Sequence, residues 1–256
     1  MVTKPKHAVS YPDIIYVAKH EYIVKSKDYH SQYNDIRVLY IHKDFLIIYK
    51  PAGVIIHKPH PQSYEKSLSD WLVAYDETIS GVGENHRSGI VHRLDKDTSG
   101  IVIIARTTDA LETFQNMFKQ RKVHKTYKAF VWGHPPDQGF IERPIERDQT
   151  DRHKMTSLSG FGKEAYTAYK VRSYCSEYSY LDVFPHTGRT HQIRIHLADN
   201  GYSLVSDSIY GHMHKDITRH ALHAYKLSFT YEGVHYAFIK DIPNDMRHLE
   251  TTCNNT

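Results

Sequence analysis

From Ile36 onward, short apolar runs alternate with clusters of turn residues. Ile36-Arg37-Val38-Leu39-Tyr40-Ile41 and Phe45-Leu46-Ile47-Ile48-Tyr49 are rich in β-formers and flank His42-Lys43-Asp44, which predicts a hairpin. Lys50-Pro51-Ala52-Gly53 should end the second strand, because Pro51 has no N–H for a ladder and Gly53 tolerates positive φ. Leu68, Trp71, Leu72 and Tyr75 then fall at helical spacing behind Ser67, predicting an amphipathic helix over 67–76 with Ser67 as N-cap. Leu111, Phe114 and Phe118 repeat the spacing after Asp109-Ala110-Leu111-Glu112, a capping-box-like start. Lys119, Arg121 and Lys122 sit at the end that the helix dipole favours for cations.

Beyond residue 124 the pattern turns mostly to strands, expected at 126–132, 164–174, 178–184, 222–231 and 236–239. One further helix is expected at 191–199, with Thr190 as N-cap and Gly201 just past its end. Short connections and few helices point to an α+β domain on a large mixed, mostly antiparallel sheet, not to a doubly wound fold. Residues 1–35 are polar and weakly periodic, an arm or extension. The domain proper is expected at 36–250, with a C-terminal tail at 251–256.

Composition narrows this little. Hydrophobic residues make up 40% and charged residues 24%, as in ordinary globular proteins. No apolar run approaches the roughly 20 residues of a membrane span, and Met1-Val2-Thr3-Lys4-Pro5-Lys6-His7 lacks the apolar core of a secretory signal, so a cytoplasmic protein is expected. Cys175 and Cys253 have no CxxC spacing, and two reduced thiols are expected. The formal charge of +4 is a mild basic bias, compatible with a nucleic-acid partner without specifying one.

The segment densest in chemistry is Gly89-Ile90-Val91-His92-Arg93-Leu94-Asp95-Lys96-Asp97-Thr98-Ser99-Gly100, a polar loop running into Ile101-Val102-Ile103-Ile104. Spacing alone allows a polar turn in which Asp95 or Asp97 caps backbone groups. As a motif, however, His-Arg-Leu-Asp-x-x-Thr-Ser-Gly resembles the active-site signature of the RluA-type family of RNA pseudouridine synthases. Other stretches agree in order: Phe45 to His57; Lys125-Thr126-Tyr127; Gly162-Lys163 ahead of Glu164-Ala165-Tyr166-Thr167; and Pro185-His186-Thr187-Gly188-Arg189-Thr190-His191-Gln192-Ile193-Arg194-Ile195-His196-Leu197. Asp207, Tyr210-Gly211, Leu222-His223-Ala224 and Ile242-Pro243 follow. The resemblance runs from about residue 36 to 249.

That resemblance implies the fold of a pseudouridine synthase catalytic domain and an isomerase that converts specific uridines of structured RNA, ribosomal or transfer, to pseudouridine. It implies no metal, nucleotide or reductant. Asp95 would be the nucleophile, attacking the sugar carbon or the base, and a nearby arginine would favour its ionised form. By the motif match Arg189 is the candidate partner, its planar fork suiting a carboxylate. Tyr127 would stack on the uracil and help remove the proton from its carbon, and Ile193 would line the base pocket. The target base must leave its stack, and Arg93 or His92 would fill the space, Arg93 being preferred. Lys50, Lys119, Arg121, Lys122 and Lys125 are candidate phosphate contacts.

The arm is too short for the N-terminal RNA-binding domain of many relatives, so a catalytic-domain-only monomer is expected. Two rivals stand beside this reading. A metal enzyme would use the local histidines His57 and His60, or His212, His214, His220 and His223, without Cys pairs or an HExxH helix. A non-catalytic RNA-binding or RNA-folding module would keep the scaffold and lose the chemistry.

Overall fold

In a computed structural model of the protein, the described residues are 14–17 (as backbone), 35–60, 62–83, 88–151 and 154–254. The predicted hairpin is β2 (Arg37–Ile41) against β3 (Phe45–Lys50), and the chain leaves it at Pro51, with Gly53 at φ 82°. The apolar run behind the polar loop is a strand, β4 (Ser99–Ala105), buried at every position. Both β3 and β4 lie inside a sheet covered on two faces, which is why they read as continuous apolar runs. Leu46, Ile48, Val102 and Ile104 point to one face, and Phe45, Ile47, Ile101 and Ile103 to the other. Each such side chain contributes on the order of 1.5–3 kcal/mol by leaving water.

The remaining strands of the main sheet are β1 (Ile14–Val17), β5 (His124–Trp132), β6 (Gln138–Glu142), β9 (Tyr166–Tyr174), β10 (Tyr178–Pro185), β11 (Leu222–Tyr231) and β12 (Val234–Ile239). Their order is β2-β3-β4-β11-β5-β10-β9-β6, with β12 beside the far half of β11 and β1 beside β12. Only β4–β11 and β1–β12 are parallel among these pairs, so the sheet is mixed and mostly antiparallel, as expected. A small ladder joins β7 (Glu146–Arg147) to β8 (Met155–Thr156). Strand β1 falls within the arm expected at 1–35, the rest of which, up to residue 34, lies outside the described residues.

Among the described residues, four α-helices flank the sheet. Helix α1 (Leu68–Tyr75) starts at Ser67, whose hydroxyl accepts from the Asp70 N–H as predicted, and buries Leu68, Trp71 and Leu72. Helix α2 (Thr108–Lys119) is capped by Thr107, not by the capping box placed at Asp109; the Thr107 hydroxyl accepts from Ala110 N–H. Helix α3 (Gln192–Asp199) has His191 at its N-cap, in a left-handed conformation and with no side-chain cap, so the Thr190 cap is corrected. Helix α4 (Asn244–Asn254) runs through the boundary expected at 250/251, and its Met246, Leu249 and Cys253 pack under the β9–β10 turn. There Cys253 meets Cys175, with Cα atoms 4.6 Å apart. The two thiols, expected as unrelated, are neighbours in the fold. A separation of 78 residues conceals this proximity until α4 is folded back on the hairpin.

Candidate active site

The loop before β4 is held from several sides. Gly89 accepts from the Ala105 N–H at φ 69°, where any Cβ would strike the Ala105 carbonyl. At the other end Gly100, φ 131°, sits where a Cβ would overlap the Ala224 backbone, so the parallel approach of β4 to β11 requires glycine there. Thr98 Oγ1 bonds His220 Nε2 at 2.8 Å, and Ser99 Oγ bonds His223 Nδ1 at 2.8 Å. Arg219 donates to the Asp97 carbonyl and bidentately to Asp245 on α4. The Thr-Ser-Gly end of the motif therefore does structural work, and it leaves Asp95 at the turn, where its carbonyl accepts from Thr98 N–H.

The Asp95 carboxylate faces a cleft of about 280 Å³. That is just under the ~300 Å³ lower end for small-ligand sites, a scale suited to a single nucleoside. Tyr127 on β5, Ile193 on α3, and Val91, Leu94 and Leu222 contribute to the apolar part of its lining, with Phe118, Val123 and Pro185. Arg93, Arg121, Lys125 and Arg189 also face it.

The partner of Asp95 is Arg194, not Arg189. Arg194 Nη1 donates to Asp95 Oδ2 at 3.1 Å, while Nε and Nη2 grip Asp207 at 2.7 and 2.9 Å. Arg194 is 5% exposed and Asp207 fully buried. Burial works against the charge on Arg194, but its bonds to Asp207 and the fields of both carboxylates outweigh this and raise its pKa. Burial likewise pushes the Asp207 carboxyl up, and the Arg194 bonds and charge bring it below its ordinary value. Arg189 instead lies exposed in the loop before α3, its Nε donating to the Glu164 carbonyl. The two arginines are five residues apart in one motif, and only the start of α3 at Gln192 decides which turns inward.

Other expected contacts are also redistributed. Tyr127 is buried in the cleft wall, and its phenol pKa is raised by that burial and then by the Asp95 charge, so the resting phenol is neutral. His92 lines the cleft, but its Nε2 accepts from the Ile103 N–H at 2.9 Å and its ring lies against Phe118. Burial lowers its pKa to about 3, fixing it as a neutral acceptor bound to β4. Arg93, exposed at the rim, is the freer of the two candidates for the space left by the base. Lys125 donates to the Thr187 carbonyl at 3.3 Å, with its pKa lowered by burial to about 8.

Lys50 is no phosphate contact. It is completely buried, and its Nζ donates to the carbonyls of Pro51, Val54 and Lys96 at 2.8–2.9 Å. It ties the turn after β3 to the residue that follows Asp95. Lys50→Met should cost about 3 kcal/mol in urea unfolding, since buried acceptors lose their donor. Burial lowers the Lys50 pKa from 10.5 to about 7. Between those values the unfolded chain holds a proton that the folded one lacks, so wild-type stability should rise with pH across that window. The slope should be shallower in Lys50→Met, and equal slopes would refute the assignment.

The histidines once grouped for a metal go separate ways. His220 and His223 are in the bonds above, and His212 stacks on Trp132 with centroids 4.4 Å apart. Sequence reasoning did not single out His191 or Tyr210 for the site. His191, at φ 55°, holds Nδ1 2.8 Å from Tyr210 Oη and Nε2 4.0 Å from Asp95. No feature of the sequence marked either residue; the left-handed conformation of His191 is visible only in the structure.

The family described as RNA pseudouridylate synthase matches residues 44–199, which include Asp95, Tyr127 and Arg194. The chain belongs to that family. It is 35% identical over 235 residues to the Zymomonas mobilis protein named ribosomal large subunit pseudouridine synthase D, covering 86% of this chain and 74% of that one. A Neisseria meningitidis serogroup B protein of the same name is 36% identical over 226 residues, 83% of this chain and 59% of its own length. The chain thus spans between about three fifths and three quarters of these relatives. The solved structure of human RNA pseudouridylate synthase domain containing 1 superimposes with a TM-score of 0.66 at 26% identity, covering 80% of this chain and 82% of the human one.

Proposed function

We propose that this cleft converts a uridine of large-subunit ribosomal RNA to pseudouridine, with Asp95 as nucleophile. The observation that carries the reading is the junction of three elements. The β4 loop brings Asp95, β5 brings Tyr127, and α3 brings Arg194 to one cleft of nucleoside size. The relatives' names supply the ribosomal substrate.

The chemistry balances without a co-reactant. Asp95 bonds to the nucleoside, at the sugar carbon or the base, and the uracil–ribose bond breaks with its electron pair on the base nitrogen. The base turns and rejoins through carbon, the Asp95 bond breaks, and a proton leaves that carbon while one is gained at the nitrogen. Arg194 donates to Asp95 and is itself anchored by Asp207. Tyr127 is held neutral partly by the Asp95 charge. Arg93 at the rim would occupy the place of the extruded base. The reading includes a monomer working in the cytoplasm; among the described residues no helix is long and apolar enough to cross a membrane.

Pseudouridine mapping by chemical adduct and primer extension tests this on unmodified ribosomal and transfer RNA. A stop in large-subunit ribosomal RNA with wild type, absent with Asp95→Asn, is expected. A stop confined to transfer RNA would replace the substrate. No stop in either would favour a binding module that has kept the scaffold.

A further inference from the structure

We propose that the outer face of β6 and β9, beside the cleft, is a stacking platform for an unpaired base flanking the target uridine. The proposal rests on the RNA-modifying reading above and adds a second recognition site to it.

The β6–β9 register places Phe140 opposite Ala168 and Tyr166 opposite Glu142. Phe140 and Tyr166 are therefore diagonal neighbours on one face, while Ile141 and Thr167, one residue out of phase, are buried on the other. Their rings lie 6.1 Å apart and 23° from parallel. Phe140 is 56% exposed and, with Tyr166, offers an aromatic pair to solvent. Cross-strand pairing alone accounts for adjacency, at about 0.2–1 kcal/mol, without requiring aromatics on the solvent side.

An arginine and a histidine complete the surface. The Arg121 guanidinium stands 5.2 Å over the Tyr166 ring, delivered by a left-handed turn (φ 59°) where its N–H bonds the Phe118 carbonyl just past α2. His186 meets Phe140 edge-on at 6.2 Å. Arg121 and His186 also line the cleft that holds Asp95, so platform and cleft are continuous. Glu142 and Glu164 lie on the same side, and the Tyr166 hydroxyl donates to Glu164 at 3.4 Å. Those carboxylates would repel a phosphate at the outer edge, which directs the backbone toward Arg121 and the base toward the rings. Aromatic faces flanked by arginine, joined to a nucleoside-sized cleft, fit a splayed single-stranded nucleotide.

The test is fluorescence anisotropy with a short labelled oligouridylate, alongside turnover on a large-subunit ribosomal RNA transcript. Phe140→Ala and Tyr166→Ala should each weaken oligouridylate binding about five- to one-hundred-fold, the range for loss of one base–aromatic stack, with unchanged salt dependence. Arg121→Ala should weaken it and reduce the slope of log affinity against log salt by about 0.7, the value for one phosphate contact on a single strand. Met213→Ala, at another exposed apolar position, should bind as wild type. Wild-type affinity in both ring variants, or no oligouridylate binding by the wild type, would overturn the platform. Binding is read without turnover, so the two readings separate. Weakened ring variants of a protein that makes no pseudouridine would keep the platform and remove the reaction; unaffected ring variants of an active enzyme would do the reverse.

Discussion

Asp95→Ala should lose on the order of 10⁴-fold or more in single-turnover pseudouridine formation, the scale expected when a covalent nucleophile is removed. The fold should survive. The Asp95 side chain has one hydrogen-bonded ion pair, to Arg194, and lies at the cleft wall. The loop around it is held by other groups. Lys96 O accepts from Lys50 and from the Gly53 N–H, Asp97 O accepts from Arg219, and Thr98 is tied to His220. Without Asp95, Arg194 keeps its two bonds to Asp207, so no buried charge is left alone. A loss of no more than about 1.5–3 kcal/mol in urea-unfolding free energy is expected, the scale for one charged hydrogen bond. Clean Asp95→Ala protein that still turns over at more than about a thousandth of the wild-type rate would remove the nucleophile assignment, since residual catalysis of that size lies above what nucleophile loss leaves.

The sequence carried the sheet well where burial is regular. The runs around Phe45 and Leu222 became strands because each can face apolar neighbours on one or both sides. It carried less where tertiary contact decides. Helix α4 has apolar residues at 246, 249 and 253, too sparse to separate from a polar tail until they meet Phe130 and Tyr178. Strand β6 was hidden by Gly139, which is required because the Tyr169 ring lies where its Cβ would be. Within the site, the motif marked Asp95 and Tyr127, but not which neighbours serve them. Lys50 reads as a surface cation and is a buried brace; Arg189 reads as a partner and is exposed. Nothing in a linear string distinguishes a charge that faces solvent from one that faces three carbonyls.

Arg194→Ala is expected to lose both activity and stability, and the second loss identifies its role. The substitution leaves Asp207 fully buried and without its bidentate partner, the situation that costs about 3–5 kcal/mol when one member of a buried pair is removed. The pH dependence should also change sign. In the wild type the Asp207 pKa is depressed, so its contribution is present above the ordinary carboxylate pKa and fades as pH falls through the lower folded value. Without Arg194, burial dominates and raises that pKa; the folded state then holds a proton that the unfolded state has released. Stability of Arg194→Ala should therefore increase as pH is lowered from 7 toward 5, where the wild type shows no such gain from this group. Adding Asp207→Asn should recover part of the lost stability at pH 7, because a neutral amide is easier to bury than an unpaired carboxylate, yet activity should stay lost because Asp95 still lacks its cation. Recovery of turnover in the double variant would mean that Arg194 acts only through the fold. A wild-type urea midpoint in Arg194→Ala would show that Asp207 does not depend on it.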